Sequence, residues 1–253
     1  MTLTEILFGL LLIGTLFIEA ITGFGSTVLG LPFAVQLTGL DVAVPVMVFH
    51  AWLLSAWVVA TNFKKIVWQQ YGTVMLFVLM GLPLGMWAFA ALPETMLKLM
   101  LAMFMVAVAV HGTVRGFRKA TDKTEPLSRR SRIVLYALLF LGGVIHGALA
   151  TGGPLIVIYT ALTIKEKGSF RATMCAVWLS LNAIMLMRFL LAGAFTPVVT
   201  RLGLVTLPFL VAGVLLGSWA HKRIPNRHFG RVIYVVLLLA GCFLAYSTIV
   251  AAL

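Results

Sequence analysis

ITGFGSTVLGLP, residues 21–32, lies inside an apolar run that otherwise reads as membrane helix. Gly23 and Gly25, flanked by Thr22, Ser26 and Thr27, break that helix where lipid should surround it. A second break, LATGGPLIVIYT, follows at residues 149–160. Lipid cannot satisfy the N–H and C=O groups that a break releases. Irregular backbone at membrane depth therefore occurs only where protein or a watery cavity satisfies it. The fold turns on how these two stretches are read.

The wider composition fixes the class. The chain has 253 residues, 62% hydrophobic and 10% charged, with a mean hydropathy of +1.09. Soluble domains run near 45–50% apolar and 25% charged, so this is an all-α polytopic membrane protein. MTLTEILFGL lacks a basic leader and a small-residue cleavage site, and reads as mature helix. Cys175 and Cys242 sit in apolar segments without a CxxC pattern and read as packing residues. The formal net charge of +12 is concentrated in four short segments, 64–65, 115–132, 165–171 and 222–231. Of the Lys and Arg residues, only Lys98, Arg188 and Arg201 fall outside them. Short basic loops beside membrane spans follow the positive-inside rule rather than nucleic-acid binding.

Eight apolar segments run 5–37, 42–61, 71–91, 95–114, 132–164, 171–192, 202–220 and 230–250. If each crossed once, the basic loops would fall on opposite faces. At ~1.5 Å per residue the first and fifth segments would each be about 50 Å long, against a hydrocarbon core of ~30 Å. Both contain a glycine-rich break. If each is a re-entrant hairpin, all four basic loops fall on one face and both termini on the other. The expectation is two inverted repeats with six full spans and two re-entrant hairpins, the alternative being eight conventional spans. The first repeat covers 1–114, a basic cytoplasmic linker 115–131, and the second repeat 132–253. Internal similarity agrees: LGMWA at 84–88 recurs as LGSWA at 216–220, Trp52 and Phe63 match Trp178 and Phe189, and Glu19 and Gly25 match His146 and Gly152.

Secondary transporters built from inverted repeats place substrate at broken helices near the midplane. Each break here precedes a short helix, one capped by Ser26 or Thr27 and the other opened by Pro154. Two helix N-termini near the bilayer centre would make an anion site. Its expected lining is Thr22, Gly23, Phe24, Gly25, Ser26 and Thr27 from the first break, with Thr151, Gly152 and Gly153 from the second. Asn182 and Arg188 in the sixth segment are further substrate-binding candidates, and His50 is a weaker polar one. Glu19 and His146, one turn before each break, are the proton-coupling candidates. No thiolates or paired carboxylates suggest a metal.

These residues carry a family resemblance over nearly the whole chain. GFGSTVLGLP, GALATGGPLIVIY and FRATMCAVWLSLNAIMLMRF, in duplicated four-segment halves, resemble the sulfite exporter TauE/SafE family of membrane permeases. The resemblance implies export of sulfite, sulfonates or related small oxyanions and organic acids, with no cofactor. Ser26 and Pro154 stand where a further glycine is common in that family, which bears on the substrate. The expected function is a secondary transporter, not an enzyme. It exports a small anion across the bacterial inner membrane by alternating access, with a small anionic substrate and the lipid bilayer as partners. A homodimer is left open. The alternatives are a passive anion channel and an intramembrane hydrolase using Ser26 and His146.

Overall fold

The computed structural model describes residues 1–91 and 129–223, with isolated positions beyond them; the segments 95–114 and 230–250 and most of the linker 115–131 lie outside the described residues. The described helices are α1 (Leu3–Thr22), α2 (Ser26–Thr38), α3 (Leu40–Asn62), α4 (Trp68–Ala91), α5 (Arg129–Leu149), α6 (Gly153–Thr163), α7 (Lys167–Leu191), α8 (Pro197–Val205) and α9 (Leu207–Arg223). Among them, five are long and apolar enough to cross a membrane, or six if α8 and α9 form one bent span. The helices gather into two compact units. One takes Met1–Gly72 and Ile164–Pro225, the other Thr73–Thr163 and Asn226–Leu253, so each draws on both halves of the sequence.

In the first unit α2 doubles back along α1. A Cβ on Gly30 would touch Thr15, and Ser26 hydrogen-bonds Glu19, so the contacts pair residues equally far from the turn. Leu31 and Ala34 then share a core with Phe8, Leu12 and Leu16. α9 runs parallel to α1: Gly213 lies on the Ile13 carbonyl, Gly217 on that of Phe17, and the His221 ring bonds Ile21. α3 runs antiparallel to α7: the turn after α3 meets the start of α7, with Lys65 Nζ near Gly168 and Ile66 packed with Ala172.

These contacts sort the loops of this unit. The N-terminus and the α8 region share one end, where Glu5 meets Arg201 at 2.9 Å. The turn after α1, Lys64, Lys65, Lys167, Arg171 and the α9 terminus share the other. The Gly23 turn closes α1 on the side of this unit that holds the last turn of α9 and the start of α7.

The structure differs from the sequence reading at the segment 202–220, read as one span. It bends by 43° between α8 and α9. Pro208 supplies no amide to continue the ladder. Thr206 closes α8 with its hydroxyl on the Leu202 carbonyl, and the same hydroxyl meets His50 Nε2 at 3.1 Å. His50, fully buried, also bonds the Val46 carbonyl. It ties α3 to the bend, a structural use of a residue read as a weak polar candidate.

In the second unit α6 doubles back along α5, with Gly142 against Leu155 and Ile156 and Gly152 against His146. α4 packs parallel to α5. Gly81 lies on the Phe140 carbonyl and Gly85 on that of Val144, while Gly143 and Gly147 face Val78 and Leu82. Two small-xxx-small stripes thus let backbones touch, which is what drives helix association where lipid removes the hydrophobic incentive. The contacts of Gly81 and Gly85 on the Phe140 and Val144 carbonyls resemble those of Gly213 and Gly217 on the Ile13 and Phe17 carbonyls. Trp87 and Trp219, also equivalent, both face outward.

Candidate functional site

α1 ends because Gly23 adopts the left-handed region, φ 85°, and its N–H bonds the Glu19 carbonyl. Glycine occupies that region without penalty. Thr22, fully buried, knots the turn: its hydroxyl lies 2.8 Å from the Ile18 carbonyl oxygen and 2.7 Å from that of Phe24. Phe24 is buried beneath, and Gly25, φ 112°, is the N-cap of α2. The expectation that Ser26 or Thr27 caps α2 is therefore corrected: Gly25 takes the cap position and brings no side chain. The cap arrives from elsewhere. The Glu19 carboxylate accepts from the Ser26 amide at 3.2 Å and, on the same oxygen, from the Ser26 hydroxyl. Both residues are almost wholly buried. Negative charge is stabilised at a helix N-terminus by its free N–H groups and dipole. The chain's own Glu19 carboxyl group thus sits at the N-terminus of α2, where the sequence reading expected a substrate anion.

α7 closes over this turn. Trp178 Nε1 donates to the Gly23 carbonyl at 2.8 Å, and the Arg171 backbone lies so close that a Cβ on Gly23 would stand 3.0 Å from its Cα. Asn182, also buried, follows Trp178 by one helical turn on the same face. Arg188, partly buried, lies about 15 Å further along than Trp178 at 1.5 Å per residue, away from the turn. The first unit thus brings Glu19, Thr22, Gly23, Phe24, Gly25 and Ser26 together and leaves Arg188 outside that group. Of the hydroxyls expected to face a ligand, those of Thr22 and Ser26 are engaged within the hairpin. Thr27 is partly exposed. A cavity of about 540 Å³ lined by Phe195, Pro197, Thr200, Arg201, Leu204 and Val205 opens at the opposite end of this unit.

The second hairpin repeats the turn with different residues. Ala150 takes the left-handed position of Gly23, φ 54°, and its N–H bonds the His146 carbonyl at 2.8 Å. His146 is buried against Gly152, as Glu19 is against Ser26. Thr151 is buried, and its hydroxyl meets no partner among the described residues. Gly153 and Pro154 form the first turn of α6.

A family described as Sulfite exporter TauE/SafE matches residues 6–244. The chain belongs to this family. TauE/SafE proteins are membrane transporters, and the chain is accordingly a multi-pass transporter of that family. It is also 24% identical over 181 residues, 71% of this chain and 73% of the relative, to a protein of Comamonas testosteroni named "Probable inner membrane transporter protein TsaS". No solved structure matches the chain. Sequence reasoning missed two residues of this TauE/SafE chain that reach the first turn. They are Trp178, which the sequence offers only as a repeat match, and Arg171, which it offers only as the end of the basic segment 165–171; a basic residue one turn after Lys167 and leading an apolar face is the signal that could have found it.

Proposed function

We propose that the protein is a secondary transporter that exports a small oxyanion, sulfite or a related sulfonate, across the bacterial inner membrane by alternating access. The observation that carries this reading is the Glu19 carboxylate seated on the N-terminus of α2 with both Ser26 donors. A site that holds a carboxylate has the donors for a sulfite or sulfonate oxygen. Ionised Glu19 competes with substrate there; a proton on Glu19 removes the competing charge and admits the anion. Proton and substrate are coupled in this way. His146 holds the matching place in the second hairpin, and the Thr151 hydroxyl, with Gly152 and Gly153, supplies donors at the N-terminus of α6.

Two inverted repeats and two hairpins re-entrant from the outer face complete the reading. The recurrent glycine contacts of α1 with α9 and of α5 with α4 support the duplication. The basic end of the first unit is assigned to the cytoplasm by the positive-inside rule. An interior-negative potential then favours anion exit by ~2.3 kcal/mol per charge per 100 mV, so export needs no ATP.

The test is sulfite counterflow in proteoliposomes. Wild-type protein is expected to exchange labelled for unlabelled sulfite. Ser26→Ala removes a hydrogen bond to a charged group, worth ~1.5–3 kcal/mol, so exchange should fall about tenfold or more. Undiminished exchange in folded Ser26→Ala would remove the first hairpin from the site.

A further inference from the structure

Among the described residues, one buried cation of the first unit makes no ion pair. Arg171 is 6% exposed, inside the packing of α7. Its Nη2 donates to Ser218 Oγ on α9 at 2.8 Å. Its Nε is sealed from solvent and meets no acceptor among the described residues. The described ion pair of this unit joins Glu5 and Arg201 at the opposite end. Nε–H and Nη2–H lie along one edge of the planar guanidinium, the edge that grips two oxygens of an oxyanion side-on. Ser218 engages Nη2, and Nε–H has no protein partner among the described residues.

An unpaired buried charge costs several kcal/mol, so a purely structural reason must be strong. The repeat argues against one. The glycine packing that seats α9 on α1 recurs where α4 seats on α5, and there the position of Ser218 is filled by Met86. The sequence position matching Arg171 is Pro45. The duplicated scaffold therefore forms without this pair. The surroundings favour an anion. Lys167 lies one turn earlier on the same face of α7, with its Nζ on the His221 carbonyl at 2.7 Å, and Lys65 Nζ lies beside Gly168. Clustered positive charge raises the local concentration of anions. The backbone of Arg171 abuts the Gly23 turn, three residues from Ser26.

We propose that Arg171 and Ser218 form an anion-binding post at the basic end of the first unit, which takes a small oxyanion side-on through Arg171 Nε–H and the Ser218 hydroxyl before it reaches the Ser26 turn. This rests on the anion-transport reading above and adds a second binding position to it.

The experiment is thermal unfolding of the purified full-length protein against sulfite and methanesulfonate, for wild type, Arg171→Lys, Arg171→Met and Ser218→Ala. Wild type should be stabilised in a dose-dependent way. Arg171→Lys keeps the charge but loses the fixed Nε–H donor and the planar link to Ser218, and its apparent affinity should fall about tenfold or more, equivalent to ~1.4 kcal/mol. Arg171→Met should unfold at the same or a higher temperature without ligand, since a buried charge is gone, and should lose most of the anion response. Ser218→Ala should weaken the response less. Wild-type affinity retained in all three variants overturns the post and leaves the transport reading standing. So does Arg171→Met if it lowers the ligand-free melting temperature while keeping wild-type affinity, since that is a structural arginine. A wild-type protein stabilised by neither anion overturns both.

Discussion

Gly23 and Ala150 hold the same left-handed place at their turns, and only Gly23 suits it. An L-residue there costs ~1–2 kcal/mol. Ala150→Gly should therefore stabilise the protein by about 1 kcal/mol, read as a higher melting temperature; a lower one would mean that the buried methyl group matters more than the backbone. Gly23→Ala should do the reverse and more, since its Cβ would also stand 3.0 Å from the Arg171 Cα. Glu19 gives the sharpest residue-scale prediction. Gln at position 19 can still accept from Ser26 but cannot ionise or carry a proton. Glu19→Gln should flatten the pH dependence of transport, whereas a profile like that of wild type would place proton coupling elsewhere. Glu19, Gly23 and Ser26 were legible as a group because a break rich in small, hydrogen-bonding residues has few other reasons to sit at membrane depth. That Glu19 itself caps α2 was not legible. It depends on α2 folding back along α1, and no local periodicity encodes that.

Among the elements, the glycine stripes on α4, α5 and α9 set how closely helices approach. A Cβ on Gly217 would stand 2.5 Å from the Phe17 carbonyl oxygen and 2.6 Å from Ala20 Cβ, with little freedom to shift. Gly217→Val should separate α9 from α1 and sharply lower folded yield in membranes, while Gly14→Ala, where a Cβ meets nothing, should be neutral. Equal yields for the two would mean that this contact does not hold the unit together. At the start of α7, Glu166 is the N-cap and accepts from the Gly168 and Ser169 amides. Its partial burial would raise its pKa, but the two amides and nearby Lys65 outweigh that and hold it below the usual carboxylate range. A lowered pKa stabilises the fold above the unfolded value and loses that contribution as pH falls through the folded value. Glu166→Gln should thus be less stable than wild type near neutral pH, and the gap should close in acid. The bend at Thr206 escaped the sequence because Pro208 lies in an unbroken apolar run, and the partner that fixes the bend, His50, is 156 positions away in the chain.

At the scale of the molecule, hydropathy and charge made the apolar helices legible. The interleaved units were not, because each joins helices far apart in sequence. Within the first unit the end holding the N-terminus and Arg201 is acid-paired and poor in lysine, while the other collects Lys64, Lys65, Lys167 and Arg171. If that basic end is cytoplasmic, a cysteine replacing Ala194 should react in intact cells with a membrane-impermeant maleimide. One replacing Lys165 should react only after permeabilisation. The opposite pattern would invert the topology and the direction of transport with it. Net outward movement is the claim on which the rest depends. Its most direct measurement is sulfite efflux from proteoliposomes of fixed protein orientation, without nucleotide, under an imposed interior-negative potential. Efflux that exceeds protein-free vesicles, rises with the potential and is lost in Ser26→Ala is the predicted result. Efflux equal to that of protein-free vesicles at every potential would contradict it.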